Sequence, residues 1–71
     1  MKITAQPHII NAILEALETC TAGIGIAMRC DITHEIKGTN SWIEITEKQG
    51  IILKPADWFW FGYYLREYVE G

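Results

Sequence analysis

The chain has 71 residues, which is enough for one small domain, since proteins allot roughly 100 to 200 residues to each domain. A fold of this length buries only about 60% of the surface that its unfolded chain exposes, so its own core is small. The composition, 49% hydrophobic and 21% charged, is too apolar for intrinsic disorder. We therefore expect a single folded domain over residues 1–71.

Charge and hydropathy exclude two kinds of partner. Six basic against nine acidic residues give a net charge of -3, and no stretch forms the basic stripe that duplex nucleic acid requires. No apolar run approaches the roughly 20 residues that span a bilayer, and the start of the chain lacks the pattern of a secretory signal. We expect a soluble protein without membrane partners. Free thiols at Cys20 and Cys30 favour a reducing cytoplasm.

The first elements are a short strand and an amphipathic helix. Residues 2–5 fit a short edge strand, and Pro7 fits the first turn of a helix, where its missing N–H is tolerated. Apolar residues then follow at spacings of three and four up to Cys20, which predicts a helix over residues 7–21. Gly23, just beyond, is interpreted as the left-handed terminator of this helix.

Beyond Gly23 the apolar period changes to two. Even positions from Ile24 to Ile36 are apolar except His34, and odd positions are small or polar, which predicts one long strand over residues 24–37. Turn residues at 37–40 precede a strand over 41–47, with Ile43 and Ile45 on one side. Residues 48–50 turn again, and 51–54 read as a third strand that Pro55 ends.

Pro55 also begins the last predicted helix, over residues 55–69, with Asp57 in its first turn where a carboxylate favours the helix dipole. The resulting fold class is α+β. We expect an antiparallel three-stranded meander, with an extra N-terminal edge strand as an option, and two helices covering one face, in the order (β)αβββα.

The last helix carries more aromatic surface than its own core face can hold. Trp58, Phe61, Gly62, Leu65 and Val69 form one stripe, interpreted as core, with Gly62 allowing a close approach to the sheet. The remaining rings point around the rest of the helix and form the predicted partner or oligomer interface: Phe59, Trp60, Tyr63, Tyr64 and Tyr68. Tryptophan and tyrosine are enriched at binding hot spots. The alternative to an interface is an ordinary, partly solvated surface without a function.

A second hypothesis is an oligomeric protein that sequesters a nucleotide-type signalling molecule. Trp42 or Trp60 would stack on the base, and Arg29 or Arg66 would meet the phosphate. In this interpretation Arg29 lies on the polar face of the long strand, which could also pair with a second copy or simply be solvated.

Catalysis and metal binding find little support in the residue pattern. A small hydrolase would use Cys30 as nucleophile with His34 as base, but Glu35 then points away from both. On an extended strand the α-carbons of Cys30 and His34 are about 13 Å apart, too far to share a metal ion. We expect no enzyme activity, no metal site and no cofactor.

The C-terminal part of the chain resembles short phage and prophage accessory proteins. The resemblance rests on Ser41-Trp42-Ile43-Glu44-Ile45, on the proline-led helix at Pro55 with a glycine halfway at Gly62, and on Tyr63-Tyr64-Leu65. It covers less than half of the chain and implies a mobile-element protein, a group that includes inhibitors of bacterial defence systems. No functional residue follows from it, and the compartment it implies is the host cytoplasm.

These observations together predict a non-enzymatic binding protein. It would act as a homo-oligomer that inhibits or modulates a host factor, such as a defence protein, by occupying a site on it. The nucleotide-sequestering protein is the alternative, and the hydrolase is the second alternative.

Overall fold

A computed structural model describes residues 1–70 of the chain. In chain order the elements are β1 (Lys2–Ala5), α1 (Pro7–Thr19), α2 (Thr21–Arg29), β2 (Cys30–Glu35), β3 (Ser41–Glu47) and α3 (Pro55–Glu70). The strands form one antiparallel sheet in the order β1-β3-β2. The α+β class and the three-stranded antiparallel sheet are therefore confirmed, with one more helix than expected.

The core lies between one face of the sheet and the helices. Alternate residues of β3, namely Ser41, Ile43 and Ile45, are buried, while Trp42, Glu44 and Thr46 point to the other face, as predicted. Helix α1 contributes Ile10, Ile13, Ala16 and Leu17 to this core, and α3 packs against α1 and α2. On the opposite face Glu44 and Thr46 are exposed, and no helix within residues 1–70 covers that face.

Residues 21–29 form a helix, so the predicted long strand over 24–37 is wrong and only Cys30–Glu35 is a strand. The alternation of Ile24, Ile26 and Met28 has no structural meaning, because Ile26 is buried while Ile24 and Met28 are exposed. The buried positions instead recur at three and four residues, at Gly23, Ile26 and Cys30, which is the helical period.

Gly23 lies inside α2 and does not terminate α1. Cys20 ends α1 in an extended conformation and begins α2, and the two helices meet at 90°. At Gly23 a β-carbon would overlap the Ala16 carbonyl oxygen and lie 2.9 Å from the α-carbon of Leu17. Glycine is therefore required here by the close approach of α2 to α1, and not by a left-handed backbone.

Residues 51–54 form no strand, because both edges of β3 are already paired with β1 and β2. Carboxylates take the place of the missing sheet partner. The Leu53 N–H donates to Glu47 Oε2 at 2.6 Å, and the Lys54 N–H donates to Asp57 Oδ2 at 2.8 Å. Leu53 is buried in the core, whereas Ile52 is exposed to solvent.

The two predicted turns are present. At 37–40, Gly38 has a φ of 55°, and the buried Ser41 hydroxyl accepts from the Lys37 N–H and donates to the Gly38 carbonyl. At 48–50, Gly50 has a φ of 83°, and the Ile51 N–H donates to the Lys48 carbonyl. No single helix in residues 1–70 is long and apolar enough to cross a membrane; only the bent pair α1 and α2 meets that criterion when taken together.

Candidate functional site

Four aromatic side chains on α3 form a connected, exposed cluster, named here the aromatic cluster: Phe59, Trp60, Tyr63 and Tyr64. Their exposed fractions are 64%, 49%, 60% and 41% respectively. Trp60 is central, with its ring centroid 5.3 Å from Phe59, 5.8 Å from Tyr63 and 6.2 Å from Tyr64. Four of the five rings predicted to lie outside the core therefore do so.

Tyr68 is the fifth predicted ring, and it behaves differently. It is half-buried and packs against the core cluster. Its hydroxyl lies 2.7 Å from the hydroxyl of Thr19 at the end of α1, within hydrogen-bonding distance. Tyr68 therefore joins α3 to α1, and part of its ring is covered by the core.

The inward face of α3 follows the predicted stripe only in part. Phe61 is buried, and Trp58 and Leu65 are packed against the core. Gly62 is exposed, and no other side chain or distant backbone in residues 1–70 comes within 4 Å of where its β-carbon would lie, so the predicted close approach to the sheet is wrong. Val69 is exposed as well. The interface of α3 is with α1 and α2, which replace the sheet as its packing partner.

A groove of about 670 Å³ runs between α2 and α3. From α2 it is lined by Thr21, Ala22, Gly25 and Arg29, with Cys20 at the start of the helix. From α3 it is lined by residues that repeat at helical spacing: Asp57, Trp60, Tyr64, Glu67 and Tyr68. The aromatic cluster thus has two sides, with Trp60 and Tyr64 on the groove and Phe59 and Tyr63 outside it.

Arg29 lies in this groove because it ends α2, and not on the polar face of a strand as predicted. Its Nε donates to the Gly25 carbonyl at 2.9 Å, and its Nη2 lies 3.4 Å from Asp57 Oδ1. The bond from the Lys54 N–H, and then the nearby Arg29 charge, lower the pKa of Asp57 below its ordinary value. The carboxylate therefore stays charged and ties the end of α2 to the first turn of α3.

Trp42 and Arg66, the other residues proposed for a nucleotide, lie elsewhere. Trp42 is on the open face of the sheet, where the Lys2 ammonium lies 4.7 Å from its ring centroid. Arg66 is exposed on α3 and pairs with Glu70 at 3.8 Å. Neither residue lines the groove, so the structure brings Arg29 together with Trp60 but not with Trp42 or Arg66.

Cys30 is buried on β2, while His34 and Glu35 are exposed. Burial, followed by the nearby Glu47 charge, raises the pKa of the Cys30 thiol above its ordinary value of 9.0. A protonated, buried thiol is a poor nucleophile at neutral pH. Within residues 1–70 no group of three or more histidine, cysteine, aspartate or glutamate side chains could hold a metal ion.

Comparison with protein-family models, with curated proteins and with solved structures found no match to this chain. The groove and the aromatic cluster are therefore the features of the chain that bear on its function.

The groove itself was not predicted from the sequence. Asp57, Trp60, Tyr64 and Glu67 recur at spacings of three and four, so their common face on α3 was available from the pattern alone. The opposite wall was hidden by the assignment of residues 24–37 to a strand, which placed Arg29 on a sheet. The helical spacing of Gly23, Ile26 and Cys30 was the signal that could have corrected it.

Proposed function

We propose that this chain is a non-enzymatic binding protein whose contact surface is the aromatic cluster on α3. The observation that carries the proposal is the exposure, on one helix of a folded chain, of four rings that are connected through Trp60. In this proposal the protein assembles as a homo-oligomer and acts by occupying a site on another protein. The resemblance to phage accessory proteins makes a host protein the proposed target, reached in the host cytoplasm.

The size of the cluster supports this proposal. A large aromatic side chain covers roughly 150 to 250 Å², so four rings exposed by about half present about 400 Å² of ring surface. A patch of that size matches the largest apolar patch on a typical soluble monomer, and such patches are often functional. A standard interface buries about 800 Å² on each partner, so the cluster would supply about half of the surface that this protein buries.

The chemistry of the remaining groups supports binding over catalysis. The Cys30 thiol has a raised pKa and is buried, and His34, its only proposed base, lies at an exposed position of the same strand. Exposed aromatic rings supply binding energy through desolvation and stacking, without any need for a titrating group.

Nucleotide sequestration is the second candidate, favoured by the presence of Trp60 and Arg29 in one groove. The charge of the groove weighs against it. Arg29 already pairs with Asp57, and Glu67 adds a further negative charge, so a phosphate would meet one engaged cation and two carboxylates. We therefore place this candidate second.

The test of the proposal is a pull-down from host lysate with matched variants. The double variant Phe59→Ser/Tyr63→Ser removes the two rings outside the groove, and Ile52→Ser removes an even more exposed apolar side chain from a loop. We expect wild type and Ile52→Ser to retain the same partner at the same yield, and the double variant to lose it. Equal recovery with all three proteins would contradict the proposal.

A further inference from the structure

We propose that the groove between α2 and α3 binds an arginine-bearing segment of the partner protein. This inference rests on the proposed binding function and specifies the chemistry of its partner. It assigns to the groove a role separate from that of Phe59 and Tyr63, which lie outside it.

The walls of the groove leave room for a side chain over aromatic rings. On the α2 side the lining residues other than Arg29 are small, and a β-carbon at Gly25 would lie no closer than 3.7 Å to the Arg29 side chain. On the α3 side the rings of Trp60 and Tyr64 are stacked, with an interplanar angle of 29°. A planar guanidinium can stack on such rings and gains from their negative faces.

The charges in the groove select a cation. Arg29 donates to the Gly25 carbonyl and pairs with Asp57, so these two groups largely satisfy each other. Ion pairs in the described part of the chain are Arg29 with Asp57 and Arg66 with Glu70, which leaves Glu67 without a cationic partner among residues 1–70. The groove is therefore lined by one uncompensated carboxylate together with the aromatic side chains of Trp60 and Tyr64. Arginine matches both features, because its guanidinium can stack while it donates two parallel bonds to a carboxylate.

The dimensions of the groove favour a peptide segment over a single small cation. Its volume, about 670 Å³, lies within the range of roughly 300 to 1,000 Å³ that drug-sized ligands occupy and exceeds one side chain. It lies between two helices, the arrangement in which a third, amphipathic helix can dock. The net charge of -3 on the chain adds long-range attraction for a basic segment.

The test is a titration of labelled protein, followed by NMR, with a short alanine-based helical peptide that carries arginine on one face. A second peptide replaces each arginine with citrulline, which has nearly the same shape but no charge. Adenosine monophosphate serves as the anionic probe. The indole signal of Trp60 is assigned by its loss in the variant Trp60→Phe. We expect the arginine peptide to shift this signal in a saturable way. The citrulline peptide and the nucleotide should leave it unchanged.

Two glutamate variants test the role of Glu67. We expect Glu67→Gln to weaken binding of the arginine peptide about tenfold, the equivalent of one charge-assisted hydrogen bond. Glu70→Gln is the matched control. It removes the same charge about one helical turn further along α3, and Glu70 pairs with Arg66 and does not line the groove. It should change the affinity less than twofold.

The outcomes separate the inference from the function on which it rests. Equal binding of the arginine and citrulline peptides, equal effects of the two glutamate variants, binding of the nucleotide instead, or no shift with any probe would overturn the arginine assignment. None of these results depends on Phe59 and Tyr63, whose role the pull-down judges separately. Both variants alter exposed positions, and an unchanged amide spectrum would show that each one folds.

Discussion

Helices α1 and α3 begin alike but differ in what they bury. Each starts at a proline, and each carries apolar residues at helical spacing. In α1 the apolar side chains are buried or half-buried, and Asn11, Glu15 and Glu18 face solvent. In α3 only Phe61 is buried, and, counted from the initial proline, Phe59 and Tyr63 occupy the positions that α1 gives to Asn11 and Glu15. Apolar residues in α1 therefore stabilise the fold, whereas most of those in α3 exceed what the fold can cover.

The largest expected effect is a difference in the free energy of unfolding between a variant in α1 and a variant in α3. Ile13→Ala in α1 removes a buried side chain and should lower the free energy of unfolding by about 2 to 5 kcal/mol. Phe59→Ala in α3 removes a larger side chain that is mostly exposed in the single chain, and below the concentration at which copies associate it should change the free energy of unfolding by less than about 0.5 kcal/mol. Urea denaturation of both variants measures the difference. A loss of several kcal/mol on removing Phe59 would mean that the aromatic cluster belongs to the core.

A smaller difference in stability is expected between variants of two tyrosines in α3. Tyr68→Phe removes the hydroxyl that meets Thr19, and we expect a loss of about 0.5 to 1 kcal/mol in the free energy of unfolding, because the pair is exposed. Tyr63→Phe removes a hydroxyl from the exposed cluster and should leave the stability unchanged. Thermal unfolding of the two variants under identical conditions gives the comparison. If both substitutions had the same effect, Tyr68 would not join α3 to α1.

Much of the fold could be predicted because its local signals agree with its tertiary contacts. Pro7 and Pro55 begin helices, the 37–40 and 48–50 turns contain glycines at positive φ, and β3 alternates as expected. The errors arose where tertiary contacts, and not the local sequence pattern, determine the secondary structure. The alternation after Gly23 is typical of a strand, but the docking of Gly23 against Ala16 requires a helix there. Residues 51–54 have the composition of a strand but find no free edge of β3.

The candidate site, like the fold, could be predicted only in part. The excess of aromatic residues on one helix was visible in the sequence, because the number of rings exceeds what one inward face can hold. The inward packing of Phe61 and Trp58 was predicted, but that of Tyr68 was not visible in the sequence, since Tyr68 is placed by its contact with Thr19 at the far end of α1. The groove was missed because one of its walls is α2, the element that the apolar pattern misassigned.

Light scattering of the purified chain at micromolar concentration tests most directly whether the aromatic cluster is a contact surface. We expect a molar mass of two or more chains for wild type and for Ile52→Ser, and the mass of one chain for Phe59→Ser/Tyr63→Ser. A wild-type protein with the mass of one chain throughout the micromolar range would contradict self-association through α3.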